Sequence, residues 1–128
     1  MESEKSKGES MPERDLKKRT QQFALRVIRL YRKLPNTEEA RIIGKQVLRS
    51  ATSVGANYRS SQRGKSKRDF IAKLAIAEEE ADETCYWLEL IIEADIISAT
   101  LLEPLLDEAK QITAILTASG RKAKENEK

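Results

Sequence analysis

Apolar residues recur along this chain at spacings of three, four and seven, the period of a helix with one buried face, and no stretch competes as a strand. Leu16, Phe23, Val27, Leu30 and Leu34 predict a first helix from about Arg14 to Lys33, stopped by Pro35. Ile43, Val47, Ala51, Val54 and Tyr58 predict a second, capped by Asn36 with Glu39 three residues on and reaching about Ser61. Ser66 with Asp69 caps a third, whose stripe is Phe70, Leu74, Ala77, Ala81, Thr84, Leu88 and Ile91. Around "DIISAT" the chain turns, and Thr100 with Glu103 caps a fourth, whose face includes Leu101, Leu105, Ile112, Ile115 and Leu116. Pro104 is tolerable there only because it falls in the first turn.

Short connections favour antiparallel neighbours, so the pattern predicts an all-α, antiparallel up-down-up-down four-helix bundle over residues 14–118. Residues 1–13 and 119–128 are polar and read as flexible tails, with Gly120 placed to end the last helix. The chain of 128 residues is the size of one domain.

The third helix carries more apolar surface than one core requires. Ala72, Ile76, Trp87, Leu90 and Ala94 form a second strip, with Glu83 inside it one turn before Trp87. A helix apolar on two faces is buried on two sides, which predicts a homo-oligomer unless the fourth helix or a tail covers Trp87. In the second helix, the small residues of "SATSVGA" let a neighbouring helix approach closely at Ser50, Ala51 and Gly55.

Charge changes the picture most. The net value is only +3, yet residues 14–73 hold 17 Lys/Arg against 4 Asp/Glu, while residues 74–110 hold 1 against 11. Such asymmetry fits a basic surface for an anionic partner, or two halves that attract one another within or between chains. Arg41, Lys45, Arg49, Arg59 and Arg63 fall within a sector of about 80° opposite the apolar stripe of the second helix. After Glu39 that helix has no acid, although solvated helices usually alternate signs to gain i,i+4 pairs. Arg19, Arg26, Arg29 and Lys33 form a similar sector on the first helix, and with Lys65, Lys67 and Arg68 at the turn these groups can line a continuous groove or rim. Arginine suits phosphate because its planar fork donates two aligned bonds while its charge displaces condensed counterions. Few aromatic residues are interleaved, so sequence-specific readout is not expected.

Other chemistry finds little support. There is no histidine, so Glu80 and Glu83 supply only part of a carboxylate di-iron set, and no metal or cofactor is expected. Cys85 lacks a histidine partner for nucleophilic catalysis, and the angular spread of Glu78, Glu79, Glu80, Asp82 and Glu83 argues against one convergent acid–base site. These acids read instead as partners for the basic helices, and no enzyme is expected. The lone cysteine and the lack of an apolar leader point to the cytoplasm, and the richest apolar patch, "YWLELIIEADII", is broken by acids, so no membrane span is expected.

"RLYRKLP", "LRSATSVGANYR", "KRDFIAKL" and "EEEADETCYWLEL" occur in an order and spacing that resemble a four-helix bundle family, the one that includes proteins encoded in intervening sequences of bacterial 23S ribosomal RNA genes. The resemblance covers about residues 20–117. It implies a ring-shaped homopentamer with a basic surface that binds nucleic acid, and a related branch accompanies the reverse transcriptase of diversity-generating retroelements and its RNA. Ser53, Asn57, Arg59, Glu83, Thr84 and Trp87 coincide with recurrent motif positions, whereas Ser60 departs from members that carry Glu after "NYR". The resemblance implies no catalytic residues.

The expectation is therefore an oligomeric RNA-binding protein that contacts phosphates through Arg26, Arg29, Arg41, Lys45, Arg49, Arg59, Arg63, Lys65, Lys67 and Arg68, with RNA favoured over DNA. Its oligomer interface is expected at Ala72, Ile76, Glu83, Trp87 and Leu90. The alternative is a protein–protein scaffold or accessory subunit, for example of a retroelement reverse transcriptase, whose basic helices engage acidic helices.

Overall fold

A computed structural model describes residues 15–127, the Glu127 side chain excepted. Four helices follow in order, α1 (Leu16–Lys33), α2 (Glu38–Gln62), α3 (Lys67–Glu93) and α4 (Ala99–Glu127). Each packs against its sequence neighbours and α4 closes back onto α1, while the diagonal pairs make no close approach. This is the antiparallel bundle that the short connections require. The expected tail over residues 1–13 lies outside the described residues. Among the described residues, no helix is long and apolar enough to cross a membrane.

The core is built from the periodic residues. Leu16, Phe23 and Val27 of α1, Val47, Ala51 and Val54 of α2, Leu74, Ala77, Leu88 and Ile91 of α3, and Leu102, Leu105, Ile112 and Leu116 of α4 are all buried. One expected core residue is displaced: Leu101 is 71% exposed, because the stripe of α4 runs through Leu102, Leu105, Ala109, Ile112 and Leu116, one residue out of phase with it. Buried polar atoms are paired; the Thr84 hydroxyl donates to Ser50 Oγ at 2.8 Å across the α2–α3 contact.

The helix ends follow local chemistry. Leu34 is extended ahead of Pro35, which closes α1. The cap of α2 is Thr37 rather than Asn36: Thr37 is extended and its Oγ1 accepts from the Ala40 N–H at 3.2 Å, while Asn36 Oδ1 accepts from Arg41. Two cap-type residues stand side by side, and the helix starts from the second. Ser66 caps α3 as expected, accepting from the Asp69 N–H at 3.0 Å. At the other end of α3, Asp95 adopts a left-handed φ of 57°, and the Ile96 N–H reaches back to the Ile91 carbonyl at 3.0 Å, which ends the helix. α4 begins at Ala99, ahead of the expected cap at Thr100.

α4 also continues through Gly120, where a stop and a tail were expected. Ala123 explains the extension. It lies seven residues beyond Leu116 on the same stripe and is buried, so the last turns dock on the bundle. A methyl group on Gly120 would meet nothing within 4 Å. Gly120→Ala should therefore stabilise the protein by up to about 1 kcal/mol through helix propensity, read as a raised urea midpoint. An unchanged midpoint would mean that the turns around residue 120 are not helical in solution.

Candidate nucleic-acid interface

The structure sorts the basic residues into groups with different roles. On α1, the Arg19 guanidinium donates to Glu108 of α4 through Nη2 at 2.7 Å and Nε at 3.1 Å. Those bonds, chiefly, raise its pKa further, so it is a fixed cation. Arg26 and Lys33 follow at seven-residue spacings and share the α4 side of α1. The α2 side is marked by Thr20, whose Oγ1 lies 3.1 Å from the position of a methyl group on Gly55. The Arg19 sector of α1 is therefore set apart from the α2 contact. At 100° per residue, Arg19 and Thr20 point to different neighbours, so the sector of Arg19, Arg26 and Lys33 lies away from the α2 contact, whereas Lys17 of α1 lines one depression together with Arg59 of α2.

On α2, Arg49 is committed to α3. Its Nη2 donates to Glu83 Oε2 at 2.5 Å and its Nη1 lies 3.3 Å from both oxygens of Glu80. Bonds to Glu80 first and Glu83 second raise the Arg49 pKa. The Trp87 indole N–H also donates to Glu83 Oε2, at 2.9 Å. That indole bond first, joined by the bond and charge of the Arg49 guanidinium, holds the Glu83 carboxyl below the usual carboxylate range, against the opposing effect of burial. The attraction between basic and acidic halves is thus realised within one chain, by Arg19 of α1 with Glu108 and by Arg49 of α2 with Glu80 and Glu83.

A lowered folded pKa means that the Glu83 contribution is present above the unfolded value of about 4.3 and is lost as pH falls through the folded one. Solvent screening keeps it to at most about 1 kcal/mol. Glu83→Gln should lower the urea midpoint at neutral pH, with the gap to the parent closing in acid below about pH 4. A gap that persists there would assign the effect to packing instead.

The remaining cations converge on one end of the bundle. Arg59 and Arg63, one turn apart on α2, join Lys65 of the turn and Lys73 of α3 around a pocket of about 500 Å³, floored by Ala56 and Ser60. Asp69 is its one acidic lining residue. Among the described residues, none of these four cations has an ion-pair partner, in contrast to Arg19 and Arg49. Lys67 and Arg68 are exposed on the first turn of α3 beside it. Lys45 is exposed higher on α2, and Arg41 is held by Asn36. Lys73 is the residue that sequence reasoning missed. It stands four residues after Asp69, so the helical period of "KRDFIAK" already placed it on that face.

The expected oligomer residues lie together on the outer side of α3. Ala72 and Ile76 are exposed, and Glu83, Trp87 and Leu90 are half-buried. α4 does not cover them, because it meets the other flank of α3, where Cys85 Sγ lies 3.8 Å from Thr113 Oγ1 and Thr117 donates to Glu78. Tyr86, 55% exposed, stands edge-on to Trp87 at 5.0 Å, and Ile42 of α2 is 56% exposed. Burial pushes the Cys85 thiol pKa up, which keeps it neutral. Among the described residues, no group of three or more His, Cys, Asp or Glu could hold a metal ion.

These features define a small all-α bundle with one unpaired cationic end and one uncovered apolar strip. A sequence model of the 23S rRNA-intervening sequence protein family matches residues 13–118, and the chain belongs to that family. It is similar to a crystal structure of a protein of unknown function from the S23 ribosomal protein family of Bacteroides thetaiotaomicron, at 40% identity and a TM-score of 0.76, over 80% of this chain and 95% of that one. No curated protein matches.

Proposed function

We propose that this chain is a non-enzymatic, homo-oligomeric nucleic-acid-binding protein whose basic end holds RNA phosphates. The observation that carries the reading is the group of Arg59, Arg63, Lys65 and Lys73 around one pocket, without ion-pair partners among the described residues. Four cations around a single lining carboxylate, Asp69, leave excess positive charge whose mutual repulsion an anionic ligand relieves. Phosphate fits because the two arginines can each donate paired bonds while the lysines add charge. Membership of the 23S rRNA-intervening sequence protein family supports the same reading.

The apolar strip through Ile76, Trp87 and Leu90 is the surface on which copies of the chain assemble, in a ring by analogy with the family. Arg49 belongs to this seam rather than to the RNA surface, since Glu80 and Glu83 already neutralise it. A ring would repeat the basic end around one face and multiply weak phosphate contacts. An accessory role beside a reverse transcriptase would use the same RNA surface.

The test is binding of a structured RNA across a salt series, with the mass followed by light scattering. Affinity that falls steeply with salt at constant mass supports phosphate contact, the log–log slope counting contacts at about 0.7–0.9 each. Absence of binding at low salt, or an oligomer that dissociates as salt rises, would favour a scaffold held together by its charges.

A further inference from the structure

The end of the bundle carries a second depression, on the other side of the α2–α3 turn from the basic pocket. Its volume is about 410 Å³, in the range of small-ligand sites. Tyr58, Phe70, Leu74 and Ala123 give it an apolar floor, Lys67 and Lys122 bring ammonium groups, and Gln62 and Asn126 bring carboxamides. Four of its lining residues, Ser119, Lys122, Ala123 and Asn126, stand on the last turns of α4, beyond the residues 13–118 that the family model matches. Lys65 belongs to the basic pocket and Lys67, two residues on, to this one.

Each group matches one part of a nucleotide. Aromatic side chains offer a surface on which a base stacks, carboxamides pair donors and acceptors with a base edge, and ammonium groups attract the adjoining phosphate. A paired base in a duplex presents neither its face nor that edge. We infer that this depression receives an unpaired RNA base while the neighbouring basic pocket holds the backbone of the same strand. The protein is thereby selective for single-stranded segments over continuous duplex. The inference rests on the RNA-binding reading and names the form of RNA that the basic end takes. A second copy of the chain is a poorer occupant, because the uncovered apolar strip of α3 lies elsewhere and this rim is cationic.

The experiment compares the full-length chain with Lys122→Glu and Phe70→Leu. Probes are a ten-nucleotide unstructured RNA carrying one 2-aminopurine, the same strand annealed to its complement, and the DNA strand of equal sequence. Circular dichroism checks that the variants are folded, and the Lys122 change, being at an exposed site, keeps the comparison sound if Phe70→Leu loosens the core. The expected result is tighter binding of single strand than duplex, quenching of 2-aminopurine on binding, and at least about a tenfold loss of single-strand affinity in each variant with duplex affinity much less affected. Equal affinity of the parent for the DNA strand would keep the base pocket but remove its RNA preference, which overturns that part. Unchanged single-strand affinity in both variants, with binding still abolished by charge reversal at Arg59 and Arg63, would overturn the base pocket and leave phosphate binding standing. Loss of oligomer mass in Lys122→Glu with RNA binding intact would hand the depression to a second copy of the chain. Absence of binding to every probe at low salt would overturn both readings.

Discussion

The double variant Arg59→Glu, Arg63→Glu should lose RNA affinity by on the order of a hundredfold or more at moderate salt, without loss of helicity. Both side chains are exposed, neither has an ion-pair partner among the described residues, and both line the basic pocket. Reversal replaces two attractions by two repulsions at a site where Lys65 and Lys73 remain. Arg49→Glu makes the contrast. It places a third carboxylate beside Glu80 and Glu83, so it should destabilise the α2–α3 seam and the assembly while leaving the pocket chemistry unchanged. Binding isotherms paired with sedimentation separate the two effects. Equal RNA loss from Arg49→Glu in an intact oligomer would mean that the binding surface extends onto the seam.

Gly55→Leu should cost about 1–3 kcal/mol of folding stability. Even a methyl group at this position would lie 3.1 Å from Thr20 Oγ1 and 3.3 Å from its Cβ. Thr20 is buried and its hydroxyl donates to the Lys17 carbonyl at 3.1 Å, so moving it aside costs that bond. A side chain here crowds Thr20 at the contact between α1 and α2. Chemical denaturation would show a lower midpoint. A midpoint within about 0.5 kcal/mol of the parent would mean that α1 is less tightly seated than the structure shows.

Much of this architecture is legible in the sequence because helices advertise themselves at short range. The stripe from Leu74 to Ile91, the Ser66 cap and the break at Pro35 each need only a few neighbouring residues to specify them. Gly55 as a point of close approach was legible too, though not that its neighbour would be Thr20. What failed depended on phase or on distant partners. Leu101 shares an i,i+4 spacing with Leu105 but loses the core to Leu102, a choice that only the docking of α4 settles. The helix beyond Ser119 was missed because a polar, lysine-rich stretch has little apolar signal, and one buried alanine, Ala123, anchors it.

The candidate site shows the same limit. Angular position on a helix identifies an outward cation, yet not whether an acid waits on the next helix. Arg49 and Arg59 look equivalent along α2, and only the packing of α3 gives Arg49 two carboxylates and leaves Arg59 facing the pocket. Likewise Arg19 looks like one more outward cation of α1 until its pair with Glu108 shows that α4 holds it.

The most direct measurement is lysine footprinting: acetylation of the free and RNA-bound oligomer with an amine-reactive reagent, read residue by residue by mass spectrometry. RNA contact at the basic end predicts strong protection of Lys65, Lys67 and Lys73, with Lys33 at the far end of α1 and Lys110 of α4 modified equally in both states. Protection centred on Lys33, or none at the α2–α3 turn while RNA is bound, would contradict it.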